Sequence, residues 1–98
     1  MQHRMRETSL EAYGDLPQLG NMQRRVLEAI IGFNLSNEYP TDREVVRDLK
    51  MSDPNRVRPR RNELMKAGIV VEAGKKECPV TGKKALTWMI SEQFKGRV

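Results

Sequence analysis

Between Pro40 and Gly68 the chain carries two helix-start signals and one helix-stop signal, and their spacing leaves little freedom for what lies between them. Thr41 and Glu44 form an S/T-x-x-E capping box, in which a hydroxyl and a carboxylate satisfy two amides that the first helical turn leaves unpaired. Asp42 adds negative charge at the positive end of the helix dipole. Val45, Val46 and Leu49 supply an apolar face to this first helix. After a break at Met51-Ser52-Asp53, Asp53 can cap a second helix, with Pro54 at the first helical position, where a missing N–H costs nothing. Gly68 closes that second helix, predicted over 53–67, as a left-handed cap.

The second helix is unusual in its middle. Four arginines and Pro59 fall within residues 56–61. At about 100° per residue, a helix that buries Val57 and Leu64 points Asn55, Pro59, Asn62 and Lys66 outward. Arg56 and Arg58 lie at the edges of that outer face, and Arg60 and Arg61 lie near the buried side. An interior proline costs a helix about 3 kcal/mol. Either residues 54–58 form a distorted first turn and the regular helix starts at Pro59, or the helix runs through with a bend. The distorted turn is the favoured expectation, because it projects Asn55 and Arg58 from a helix N-terminus, where phosphates are stabilised.

Flanking segments complete the order of elements. Residues 1–8 are polar, and Thr8, Glu11, Leu10 and Tyr13 suggest a short helix at 9–14. Asn21 is placed to cap a helix whose Met22, Val26, Ala29, Ile30 and Phe33 recur at helical spacing, with Gly32 and Asn34 weakening its end. LSNEYP reads as a loop with a short extended piece at Tyr39. Residues 69–73 and 85–90 read as strands, the latter alternating Leu86, Trp88 and Ile90. GKKECPVTGKK between them makes a hairpin with a basic tip. The expected organisation is an N-terminal arm over 1–18, one α+β, mainly α domain over 19–91, and a tail over 92–98.

Charge is distributed unevenly. Residues 53–84 hold nine Lys/Arg against four Asp/Glu, whereas residues 1–52 hold seven against eight, so the chain's net charge of +5 is concentrated in one segment. Such a footprint suits a polyanionic partner. No apolar run approaches the roughly 20 residues that cross a bilayer, and the N-terminus lacks the apolar stretch of a secretory signal, so a cytoplasmic protein is expected. One cysteine, Cys78, and one histidine, His3, cannot build a zinc site, and Cys78 is expected to be an incidental surface residue. There is no P-loop and no nucleophile–base pairing; no enzyme, cofactor or small-molecule ligand is expected. Trp88, on an alternating strand face, is expected in the core.

Helix, link, helix, tight turn, helix and hairpin, with TDREVVRDLK, LMKAGIV and the hairpin ending in Trp88, resemble the winged helix-turn-helix DNA-binding family over roughly residues 20–90. VRPRRNELMKAGIVVEAGKKECPVTGKKALTW is most similar to small regulators of phage or mobile-element type. The resemblance implies a three-helix core followed by a β-hairpin wing, binding double-stranded DNA as a transcriptional regulator. It puts the outer face of helix 53–67 in the major groove and the wing 74–84 along the backbone or minor groove. Asn55, Arg58 and Asn62 are the candidates for base readout, and Arg56, Arg60 and Lys66 for phosphates. Lys75, Lys76, Lys83 and Lys84 are the wing's phosphate contacts. Glu63 disfavours phosphate unless an arginine pairs with it. Arg61 departs from the family, which has an aliphatic residue three before this leucine, and is expected to lay its stem on the core with its head in solvent. Leu10, Tyr13, Leu16 and Leu19 make residues 1–20 the expected homodimer contact. The alternative function is a protein–protein interaction module, such as a phage replication or packaging accessory.

Overall fold

The computed structural model describes residues 19–92. The helix expected at 9–14 and nearly all of the expected dimer contact lie outside the described residues. Within them, three helices precede a two-stranded antiparallel hairpin: α1 (Asn21–Leu35), α2 (Asp42–Asp48), a 3-10 turn (Pro54–Arg56), α3 (Arg58–Lys66), β1 (Val70–Glu77) and β2 (Lys84–Ile90). This is the layout of a helix-turn-helix with a wing.

α1 starts one residue earlier than its sequence suggests. Gly20, not Asn21, is the N-cap, and its N–H donates to Gln23 Oε1 at 2.7 Å. The helix buries Val26, Leu27, Ala29, Ile30 and Ile31, a wider arc than one stripe, because both α3 and β2 pack on it. It runs past Gly32 and Asn34 and ends where Asn37 takes a positive φ of 60°. There Asn37 N–H donates to the Asn34 carbonyl and Glu38 N–H to that of Phe33, which satisfies two terminal acceptors.

α2 and α3 finish the same way. Lys50 (φ 58°) follows α2, with Met51 N–H donating to the Val46 carbonyl at 3.0 Å. Gly68 (φ 79°) follows α3, with Ile69 N–H donating to the Leu64 carbonyl at 3.0 Å. Glycine reaches this left-handed geometry without the Cβ clash that other residues meet. The turn then drops Ile69 and Val70 directly into the core beside Val57, Leu64, Val45 and Ile30.

Pro59 is accommodated by a broken start. Asp53 Oδ1 accepts the Asn55 N–H at 2.9 Å, the chain makes one tight 3-10 turn, and the α-helix begins at Arg58 rather than at 53 or 54. Pro59 therefore sits in the first turn, where its amide would have had no intrahelical acceptor. The first intrahelical bond of α3 runs from Arg61 N–H to the Val57 carbonyl at 2.8 Å.

Both strands are longer than their sequence patterns suggest, so Lys75 and Lys76 belong to β1 and the turn is confined to 78–83. Val70 pairs with Ile90 and Glu77 with Lys84, and a bulge at Ala73 separates the Glu72–Trp88 pair from Gly74–Thr87. Gly74 absorbs the distortion at φ 144°, a conformation that side chains disfavour. The outer edge of β2 is covered. Its Trp88 N–H donates to the Pro40 carbonyl at 3.0 Å, so the link before α2 acts as a one-bond third strand. Asn34 Oδ1 accepts the Ile90 N–H at 2.9 Å, and Asn34 Nδ2 donates to the Glu38 carbonyl at 2.9 Å.

Asn34 thus joins the end of α1 to the sheet edge. Asn34→Ala removes the acceptor of a partly buried amide and is expected to cost roughly 1–3 kcal/mol. Leu35→Ala, at a residue 64% exposed, is expected to stay within about 0.5 kcal/mol. Urea denaturation followed by Trp88 fluorescence measures both.

Candidate nucleic-acid interface

Residues 53–66 present their polar groups from two connected pieces. The 3-10 turn exposes Asn55 and Arg56, and α3 exposes Arg58, Pro59 and Lys66. Asn62 and Arg60 are half-buried. Asn55, Arg56, Pro59 and Arg60 border, with Met22 of α1, a shallow hollow of about 280 Å3. Lys66 lies eight residues along the helix from Arg58, about 12 Å by helical rise.

The two arginines near the buried side have separate duties. Arg60 Nη2 donates to Glu63 Oε2 at 3.0 Å, and the other Glu63 oxygen accepts Gln23 Nε2 at 2.7 Å. Glu63 is thereby compensated, and Arg60 is held across the α1–α3 seam rather than extended freely. Arg61 does not put its head in solvent. Its Nε and Nη2 donate to the two Asp42 oxygens at 3.0 and 2.7 Å, and the guanidinium lies 4.0 Å from the centre of the Trp88 ring. With side-chain exposures of 12% and 17%, this pair is largely withdrawn from water. Arg61 therefore clamps α3 to α2 and to β2. The expectation of a solvent-facing Arg61 is corrected by these partners: at this depth a planar fork facing a carboxylate is more favourable than a head in water. Trp88 is in the core, 2% exposed.

Of the four hairpin lysines, Lys76 is the exception. Alternation places it on the opposite face from Lys75 and Glu77, and its Nζ meets Glu44 Oε1 at 2.9 Å. Lys76 is a tie between β1 and α2, not an outward phosphate contact. Lys75, Lys83 and Lys84 are exposed. Among the described residues these three, with Arg56, Arg58 and Lys66, join no ion pair.

Glu44 is buried, and its carboxylate accepts the Thr41 N–H at 3.0 Å as well as the Lys76 ammonium. Burial pushes its pKa up, but the bonds from Lys76 and Thr41 and the charges of Lys76 and Arg47 outweigh this and hold it below the ordinary 4.5. Cys78 is also misjudged from sequence: it is fully buried, not a surface residue. Its Sγ lies 3.1 Å from Thr41 Oγ1. Burial raises the thiol pKa, while bonds from Thr41 and from the Thr81 and Val80 backbone lower it by more. Thr41 and Glu44, the two members of the capping box, thus each also hold the hairpin. Gln23, Asp42 and Glu44 carried no sequence signal for these roles, since their partners lie 19 to 40 residues away.

Among the described residues no group of three or more His, Cys, Asp or Glu is arranged to hold a metal ion, and no helix is long and apolar enough to cross a membrane. The chain matches no family model, and neither a curated protein nor a solved structure shows significant similarity to it.

Two measurements test this division of roles. Arg61→Ala strands Asp42 and is expected to cost about 3 kcal/mol, whereas Arg58→Ala is expected to stay within about 0.5 kcal/mol. For Glu44, a folded pKa below the unfolded one means that its stabilisation is complete above the unfolded pKa and fades as pH falls through the folded value. Glu44→Gln is therefore expected to be less stable than the parent at neutral pH. The gap should close as pH is lowered below about 4.5. Thermal unfolding from pH 7 to pH 3 reads both curves.

Proposed function

We propose that this chain is a cytoplasmic double-stranded-DNA-binding protein, a transcriptional regulator that enters the major groove with the outer face of α3 and its broken first turn. The hairpin lies along the backbone or minor groove. The observation that carries the reading is that, among the described residues, six cations on these two elements join no ion pair: Arg56, Arg58 and Lys66 around α3, and Lys75, Lys83 and Lys84 on the hairpin. A merely solvated surface does not require basic residues concentrated on the two elements that a winged helix-turn-helix applies to a duplex, and the sequence resemblance supports the same mode. Asn55 and Arg58 are the base readers in this reading, with Asn62 reaching from a half-buried position. Arg60 contributes from its Glu63 pairing, to a phosphate beside the hollow.

The six cations on α3, its first turn and the hairpin set the expected salt dependence. If all six neutralise phosphates, log K falls against log salt with a slope near −5, and fewer contacts give a shallower line. Fluorescence anisotropy on duplexes selected from a random pool measures it. Lys83→Gln and Lys84→Gln are each expected to weaken all duplexes alike and reduce the slope by about 1. Arg58→Ala and Asn55→Ala are each expected to lose about 1–3 kcal/mol on the selected duplex and much less on random sequence. A pool that shows no enrichment, together with salt-insensitive binding to a protein, would favour the interaction-module alternative.

A further inference from the structure

We propose that the hollow where α1 meets the start of α3 takes the 5-methyl group of a thymine, so that Met22 and Pro59 determine sequence specificity alongside the polar base readers. The proposal deepens the DNA-binding reading and rests on it. Five residues border this hollow of about 280 Å3: Met22, Asn55, Arg56, Pro59 and Arg60.

Its hydrocarbon comes from two elements far apart in the chain. Met22 stands in the first turn of α1, where it packs against the core and still borders the hollow. An unbranched, polarisable side chain of this kind adapts to an irregular apolar neighbour. Pro59 is the second residue of α3 and is exposed. A helix start ordinarily turns free N–H groups towards an anion. Proline has no N–H to offer there and presents a ring of hydrocarbon instead. Arg60, on the same border, already donates to Glu63 at 3.0 Å. The hollow is therefore a poorer seat for a phosphate than its two arginines suggest, and a better one for a methyl group.

Asn55 identifies the base. Its N–H is held by Asp53 Oδ1 at 2.9 Å, whereas its side-chain amide makes no hydrogen bond among the described residues. An amide pairs with N6 and N7 of adenine, and adenine's partner, thymine, carries its methyl group in the major groove. Both marks of an A·T pair are thus matched at one place, adenine by the amide and the methyl group by Met22 and Pro59. 5-Methylcytosine carries the same methyl group, but it pairs with guanine, whose N7 and O6 are both acceptors and do not match an amide's donor and acceptor.

Selection from a random duplex pool is expected to return a thymine at the position the hollow covers, and deoxyuridine in its place removes the methyl group alone. Fluorescence anisotropy on the full chain is expected to show about fourfold weaker binding to the uracil duplex at that position, the loss that withdrawing one buried carbon implies. A 5-methylcytosine–guanine pair there is expected to bind more weakly than either, and binding equal to the thymine duplex would overturn the assignment to thymine. Met22→Gln and Pro59→Ala are each expected to bring the thymine-to-uracil ratio towards one. That ratio, unlike the affinity itself, does not register a general loss of stability. A ratio of one at every thymine in the parent chain overturns the proposal and leaves DNA binding standing. A ratio that persists unchanged in both variants overturns it too, because the methyl group would then lie elsewhere. A pool without enrichment overturns specific DNA binding and this proposal together.

Discussion

The start of α2 is where the domain is tied together. Four of the five residues from Pro40 to Glu44 each bind a different part of the chain. The Pro40 carbonyl holds β2 through the Trp88 N–H, Thr41 meets Cys78 at the hairpin turn, Asp42 clamps Arg61 of α3, and Glu44 pairs with Lys76 of β1. The capping box has to exist for this to work. Only with Thr41 in extended conformation and Glu44 folded back on its N–H do these groups project toward their separate partners. A short helix of seven residues has little stability of its own, so these ties hold the helix as much as the helix holds them.

That hub fixes the angle of α3 and the reach of the hairpin at once. Arg61 lies flat on Trp88 and in line with Asp42, so α3 cannot roll about its axis without breaking a pair of hydrogen bonds and uncovering a tryptophan. The outer face of α3 is thereby held in a constant orientation, which is what reading a groove by side-chain hydrogen bonds requires. Lys76 and Cys78 do the same for the hairpin, whose two strands alone would be marginal in water.

The local signals in the sequence survived well, and the long-range ones were invisible. The capping box, the Asp53-Pro54 start, the Gly68 stop and the alternation of Leu86, Trp88 and Ile90 are all short-range rules, and each marks an element that is present. Boundaries moved where a neighbour, not propensity, set the limit. β1 extends through Lys75 and Lys76 because the bulge at Ala73 and the Glu44 tie keep it paired, and α1 extends past Gly32 because Asn34 is held by β2. At the candidate site the outward positions of Asn55, Arg56, Arg58 and Lys66 followed from helical geometry. The duties of Arg60, Arg61 and Lys76 did not, because a cation's role depends on whether a distant carboxylate lies within reach, and no spacing rule reports that.

The basic segment accordingly divides in a way its composition hides. Of nine Lys/Arg in residues 53–84, Arg60, Arg61 and Lys76 are held in ion pairs, and two of their three partners, Asp42 and Glu44, come from the acidic half of the chain. The acidic half therefore does more than balance the net charge. Asp42 and Glu44 each hold one cation against α2, Glu63 holds Arg60 within α3, and among the described residues the other six join no ion pair. A count of basic residues overstates the cations that stand outside ion pairs by half, since nine become six. Under the proposed DNA-binding function that division matters, because a cation on a fixed helix loses less side-chain and segmental entropy on meeting a phosphate than one on a mobile loop.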